Sequence, residues 1–164
     1  DIGDLTQARV YVAGQSSSTS GYTTGGAYSG YQGSMVNTLD KFPFSSDTNA
    51  TSVGNITQAR KGVGGHSSST SGYTAGGYVD EQGLKNTIDK FPFASDTSAT
   101  FVGALTQSRF MTTGQSSTES GYTSGGGVQP AVNTIDKFPF ASDANATDVG
   151  DLTLARRGAA GQQV

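Results

Sequence analysis

The sequence predicts an all-β fold assembled from one small unit written three times. Three observations carry that reading. First, Asn37-Thr-Leu-Asp-Lys-Phe-Pro-Phe44 returns as Asn86-Thr-Ile-Asp-Lys-Phe-Pro-Phe93 and as Asn133-Thr-Ile-Asp-Lys-Phe-Pro-Phe140. A repeat of this period marks an array in which each unit buries its apolar face only against its neighbours. Second, apolar residues come in short runs between Gly and Ser/Thr clusters, with no helical period. Third, 24 glycines and many β-branched residues make helix costly throughout.

The alignment divides the 164 residues into one repeat array. Repeat 1 covers about 10–60, repeat 2 about 61–109 and repeat 3 about 110–156, with partial copies at 1–9 and 157–164. Arg9, Arg60, Arg109 and Arg156 are equivalent, at spacings of 51, 49 and 47. Gly14, Gly65, Gly114 and Gly161 follow them in phase. All the drift in period lies after the pairs Gly25-Gly26, Gly76-Gly77 and Gly125-Gly126. The segments from there to the next Asn-Thr hold ten, eight and six residues. Steps of two lengthen both arms of a hairpin equally and keep the register beyond it, whereas a step of one would turn every side chain to the other face.

Four strands are predicted per repeat. Strand one follows the Arg, at Val10 to Gln15, Val63 to His66 and Phe110 to Gln115. A Ser/Thr cluster such as Ser16 to Ser20 then makes a turn. Strand two is Gly21-Tyr22-Thr23 running into the Gly pair. Strand three is the Asn-Thr-Ile-Asp-Lys-Phe-Pro-Phe run. It carries apolar residues on both faces (Leu39 on one, Phe42 and Phe44 on the other), as a sheet covered on both sides would. Pro43, Pro92 and Pro139 remove a ladder donor, so strand three should end there or present the proline to a side without a partner. A polar loop such as Ser46 to Thr51 leads to strand four, at Val53 to Thr57, Val102 to Thr106 and Val149 to Thr153.

Four strands in about fifty residues match one blade of a β-propeller. The repeats resemble kelch repeats on Tyr22, Gly25 and Gly26 with Arg60, on Tyr73, Gly76 and Gly77 with Arg109, and on Tyr122, Gly125 and Gly126 with Arg156. That resemblance covers nearly the whole chain and implies kelch-like propeller blades. The Trp that kelch blades carry on strand four is missing; Val53, Ile56, Val102, Leu105, Val149 and Leu152 occupy that region. The longer wording, Asp-Lys-Phe-Pro-Phe-Ala-Ser-Asp with Val-Gly-Asp-Leu-Thr and Gly-Tyr-Thr-Ser-Gly-Gly, resembles repeats in tail-fibre-like structural proteins of marine phages. It implies a virion or extracellular surface location. Three blades leave two open edges, which invite pairing. A segment of a longer ring, a six-bladed ring of two copies and an open stack all satisfy those edges. The first is the expectation, because both termini read as cut from continuing repeats.

No cofactor or metal is expected. His66, the one histidine, stands where the other copies have Gln15, Gln115 and Gln162, and reads as a polar strand-end residue without catalytic partners. One His and no Cys leave too few ligands for a zinc site. Asp40, Asp89 and Asp136 recur in every copy, which suits bonding to turn backbone or to the repeated Arg. Asp47, Asp96 and Asp143 open polar loops that read as Asx turns rather than calcium loops. The Gly pairs precede no helix and so are no phosphate cradle; they suit positive φ or close approach between units. The Asn-x-Thr triplets at Asn49, Asn55 and Asn145 carry no weight by themselves.

The variable segment is the candidate functional site, because function on a repeated frame concentrates in its loops. Its residues are Tyr28, Tyr31 and Gln32 in repeat 1, Tyr78, Asp80 and Glu81 in repeat 2, and Gln129 in repeat 3. Tyrosine beside Gly and Gln suits stacking on sugars or docking on protein. A net charge of −3 argues against a nucleic-acid partner. No apolar stretch approaches a membrane span, and the N-terminus lacks the basic and apolar segments of a signal peptide. The expected role is non-enzymatic: structural display or adhesion, with protein partners (further blades or a second copy) and host-surface glycan. A purely architectural filament is the alternative. An enzyme is the poorer reading, since blades so alike do not build an asymmetric acidic site.

Overall fold

The computed structural model describes residues 2–29, 33–127 and 130–162. They form fourteen strands and no helix. The first sheet comprises β1 (Ala13–Ser16), β2 (Ser20–Thr24), β3 (Thr38–Pro43) and β4 (Thr51–Asn55), hydrogen-bonded in that order. The second comprises β5 (Gly64–Ser67), β6 (Ser71–Ala75), β9 (Thr87–Pro92) and β10 (Thr100–Ala104), again in chain order. The third comprises β11 (Thr113–Ser116), β12 (Ser120–Ser124), β13 (Thr134–Pro139) and β14 (Thr147–Asp151). A small hairpin, β7 (Tyr78–Val79) with β8 (Gly83–Leu84), is inserted in the second. All pairings are antiparallel, and the register is the same in each large sheet: Gln15 opposes Tyr22, His66 opposes Tyr73, and Gln115 opposes Tyr122.

Strand one is shorter than predicted at its start. Tyr11 (φ 59°), Gly62 (φ 63°) and Met111 (φ 54°) adopt left-handed backbone just before it, which no strand can include. Val10 makes only an isolated bridge to Ala27. Strand four begins and ends two residues earlier than predicted. Each copy carries a bulge, opposite Leu39/Asp40, Ile88/Asp89 and Ile135/Asp136, which turns Val53, Val102 and Val149 out of the pairing. The prolines behave as the sequence requires. Phe44 N–H donates to Thr19 O on the β2 side (2.9 Å), so the nitrogen of Pro43 faces the β4 side, and β4 pairs no further than Lys41.

The Ser/Thr clusters are hydroxyl-closed turns. Ser17 Oγ accepts from Ser20 N (3.0 Å) and Thr19 N (3.3 Å), and Ser68 and Ser117 repeat the arrangement. The Gly pair is required by conformation: Gly25 and Gly26 have φ of 64° and 103°, and Gly76 and Gly77 have 69° and 114°.

The sheets stack face to face through two apolar layers. Tyr22, Leu39, Ile56 and Val53 of the first meet Phe91, Phe93 and Ala99 of the second. Tyr73, Ile88, Leu105 and Val102 of the second meet Phe138, Phe140 and Ala146 of the third. Tyr22 stacks on Phe93 at 4.9 Å and Tyr73 on Phe140 at 4.8 Å. Each buried Phe or Leu contributes about 1.5–3 kcal/mol. At the opposite edge β5 lies between β1 and β11. A Cβ on Gly65 would overlap the carbonyl of Gly14, and one on Gly114 the carbonyl of Gly65, so only glycine lets the first strands approach.

Candidate functional site

The repeated Arg ties one sheet to the next. The carbonyl of Arg60 accepts from Gly26 N–H of the first sheet (3.0 Å). Its side chain enters the second, donating to Gly76 O (2.9 Å), Thr74 O (3.1 Å) and Asp89 Oδ2 (2.9 Å). Thr57 completes the carboxylate through both N–H and hydroxyl. Arg9 with Asp40 and Arg109 with Asp136 repeat the arrangement, and all six side chains are fully buried. Burial pulls the Arg60 pKa down, and Asp89 opposes the shift. Alignment groups Arg60 with Gly25 and Gly26. That holds for its carbonyl, while its guanidinium serves the following repeat. Arg156 gives its carbonyl to Gly126 N–H, but its side chain is exposed and donates to Leu154 O.

Two further ties cross each layer. Lys41 bonds Asp96 (2.9 Å) and Lys90 bonds Asp143 (3.0 Å); these hydrogen bonds raise both lysine pKa values. Asp96 and Asp143, read from the sequence as turn formers, bridge sheets through these lysines. Gln15 Nε2 donates to Tyr73 O of the second sheet (3.0 Å). His66 does the equivalent, with Nε2 3.0 Å from Tyr122 O and from Thr123 Oγ1. Its Nδ1 has no hydrogen-bond partner among the described residues, and burial lowers its pKa to about 4. A histidine so enclosed and uncharged links sheets, and among the described residues no carboxylate bonds it to orient it for proton transfer. Among the described residues no group of three or more His, Asp or Glu gathers as a metal site.

The variable segments lie beyond the Gly pairs. Tyr28 is 44% exposed, with Oη donating to Gln7 Oε1 (2.7 Å). Tyr31, Gln32 and Gln129 lie outside the described residues. Tyr78 is partly buried in the β7–β8 hairpin, 5.9 Å from the Phe110 ring, with the buried Lys61 ammonium 5.5 Å from its own ring. Asp80 and Glu81 are exposed on the hairpin turn, Asp80 4.0 Å from Lys61 Nζ and Glu81 at φ 62°. The structure thus places Tyr28, Asp80 and Glu81 outward and Tyr78 largely inward.

Sequence reasoning did not see that the serine turns converge. Ser16–Ser18, Ser67–Ser69, Ser117 and Thr118 line one open cavity of about 540 Å³ at the end of the first strands. The available signal was positional: every cluster directly follows strand one, and the first strands are neighbours. No protein-family model matches the chain, and no curated protein is significantly similar to it.

Proposed function

We propose that this chain is a non-enzymatic segment of a kelch-like β-propeller that works as a rigid frame for structural display or adhesion. The setting that its wording implies is a virion surface or tail-fibre protein. The observation that carries the reading is where the three repeats differ. Their buried ion pairs, glycines and aromatic layers are alike, and differences in length are confined to the segments beyond the Gly pairs. The equal registers of the three sheets and the adjacency of their first strands support blades ranged about an axis. Buried charge serves the frame, because each enclosed Arg and Asp is consumed by its partner.

The exposed Tyr28 and the acidic turn at Asp80 and Glu81 are the groups offered to a glycan or protein partner. Glycan-array and cell-surface binding of the chain, compared with Tyr28→Ala/Tyr31→Ala and Asp80→Ala/Glu81→Ala, tests this. Binding should fall at least about tenfold with the thermal midpoint unchanged. Equal binding by both double variants would refute the display reading. The architectural alternative draws support from a different observation, the uncovered face of the third sheet.

A further inference from the structure

The two buried layers are the same interface made twice, and its two halves are each presented once more on the outside. In both layers a Tyr, a Leu or Ile, a bulged Val and the Leu or Ile before the Thr-x-x-Arg run meet Phe, Phe and Ala of the next sheet. The third sheet carries the donor half of this set, uncovered. Ile135 is only half-buried where Leu39 is 1% and Ile88 0% exposed, and Val149 is 50% exposed. Tyr122 and Leu152 are likewise only half-buried. Lys137, equivalent to Lys41 and Lys90, forms no ion pair with an Asp among the described residues. The first sheet carries the acceptor half: Phe44 is 56% exposed, Phe42 is half-buried, and Asp47 is exposed where Asp96 and Asp143 bind lysine.

Two segments of the chain occupy the places on these faces that a neighbouring repeat would take. Residues 2–9 read as residues 149–156 do, except for Ile2/Val149 and Gln7/Leu154. The first copy is docked on the first sheet: Asp4 O accepts from Ala50 N (2.8 Å), and Thr6 and Arg9 bind Asp40. Ala99 N→Asn55 O, Thr57 and Arg60 make the same set of bonds within the molecule. At the other end Gly158 N donates to Met111 O (3.0 Å), as Met111 N does to Gly62 O (2.8 Å), so residues 158–162 hold the place beside β11 that a further first strand would take.

We infer that the face of the third sheet is a docking site for the first sheet of a second copy of this chain. Residues 2–9 of the incoming copy and 158–162 of the receiving copy are displaced on docking. Arg156 and Thr153 then bind Asp40 of the second copy, Lys137 binds its Asp47, and its Phe44 stacks on Tyr122. The bonds of those two segments are exchanged like for like, so the drive is the apolar surface newly buried on both faces. The contact is head-to-tail, and such contacts close into rings or run on as filaments. The inference rests on the repeated-frame reading but not on the display of loops.

Light scattering across a concentration series, with Phe44→Asp and Val149→Asp variants, tests it. Both residues are exposed in the single chain, so neither change disturbs its core. The unaltered chain should pass from 16.7 kDa to twice that mass or beyond as concentration rises. Each variant alone should associate at least about tenfold more weakly. An equimolar mixture of the two should recover a 1:1 dimer, because each retains the half that the other lacks. A chain that stays monomeric throughout overturns the inference, and so does association unaffected by either change or a mixture that fails to recover. Loss of glycan binding with association intact would fault the display reading alone.

Discussion

The buried Arg60–Asp89 pair joins two sheets, and its removal leaves one enclosed charge without its counter-charge. Breaking such a pair by changing one partner costs about 3–5 kcal/mol. Asp89→Asn and Arg60→Met should each lower stability by that order in urea unfolding. Arg156→Met should change it by less than about 0.5 kcal/mol, because that side chain is exposed and binds only Leu154 O. Equal losses at Arg60 and Arg156 would contradict the assigned roles. His66 gives a pH signature. Its folded pKa is about 4, against about 6.5 in the unfolded chain. Between those values the unfolded chain holds the proton and the folded one does not, so stability declines as pH falls from about 6.5 toward 4. The total is about 3 kcal/mol. His66→Gln, which installs the residue found at Gln15 and Gln115, should flatten that part of the stability profile. Unfolding midpoints of the two proteins at pH 7 and pH 4 check it.

At the scale of elements, the Gly pair turns each second strand out of its ladder and lets the carbonyl of the following Arg approach. Gly76 has φ 69°, and a Cβ there would sit 2.9 Å from the Arg109 carbonyl oxygen. Gly76→Ala should therefore cost at least about 1–2 kcal/mol, and proline or valine more, as thermal unfolding would report. Strands two and three were legible in the sequence because the Gly pair and the proline punctuate them and two-residue loop steps fix their register. The start of strand one was not. Tyr11 and Met111 are ordinary strand formers held in left-handed backbone, and only Gly62 at the equivalent place hinted at it. The bulges at Val53, Val102 and Val149 were hidden for a related reason, since a bulge changes pairing count without changing composition. The β7–β8 hairpin falls in Tyr78 to Lys85, which the sequence marked only as a variable segment beyond the Gly pair, with no strand pairing of its own.

For the whole molecule, the sheets are held by shared layers rather than by separate cores. Phe91 belongs to the second sheet yet fills a cluster made mostly by the first. Phe91→Ala should cost about 3–5 kcal/mol and lower one cooperative transition; differential scanning calorimetry that resolved a separate melting sheet would argue against shared layers. The repeat announced this stacking, and the recurring Asp and Arg announced a pairing. What the sequence did not convey is direction: that the guanidinium groups of Arg60 and Arg109 reach forward into the next repeat while their carbonyls stay behind. Nor did it convey that three serine turns meet in one cavity, since residues about fifty positions apart become neighbours only when the first strands align. The proposed loop site was legible only as a place, because its length varies while its frame does not.

Interfaces that are copies of one another have a genetic consequence. The unit 61–109 follows Ile56-Thr-Gln-Ala-Arg60 and ends on Leu105-Thr-Gln-Ser-Arg109, so its coding segment can be removed or duplicated in frame at equivalent points of the repeat. The protein that results brings the Tyr22, Leu39 and Ile56 face against Phe138 and Phe140, the same chemistry as before. Copy number is then free to vary by whole units while every junction stays well formed.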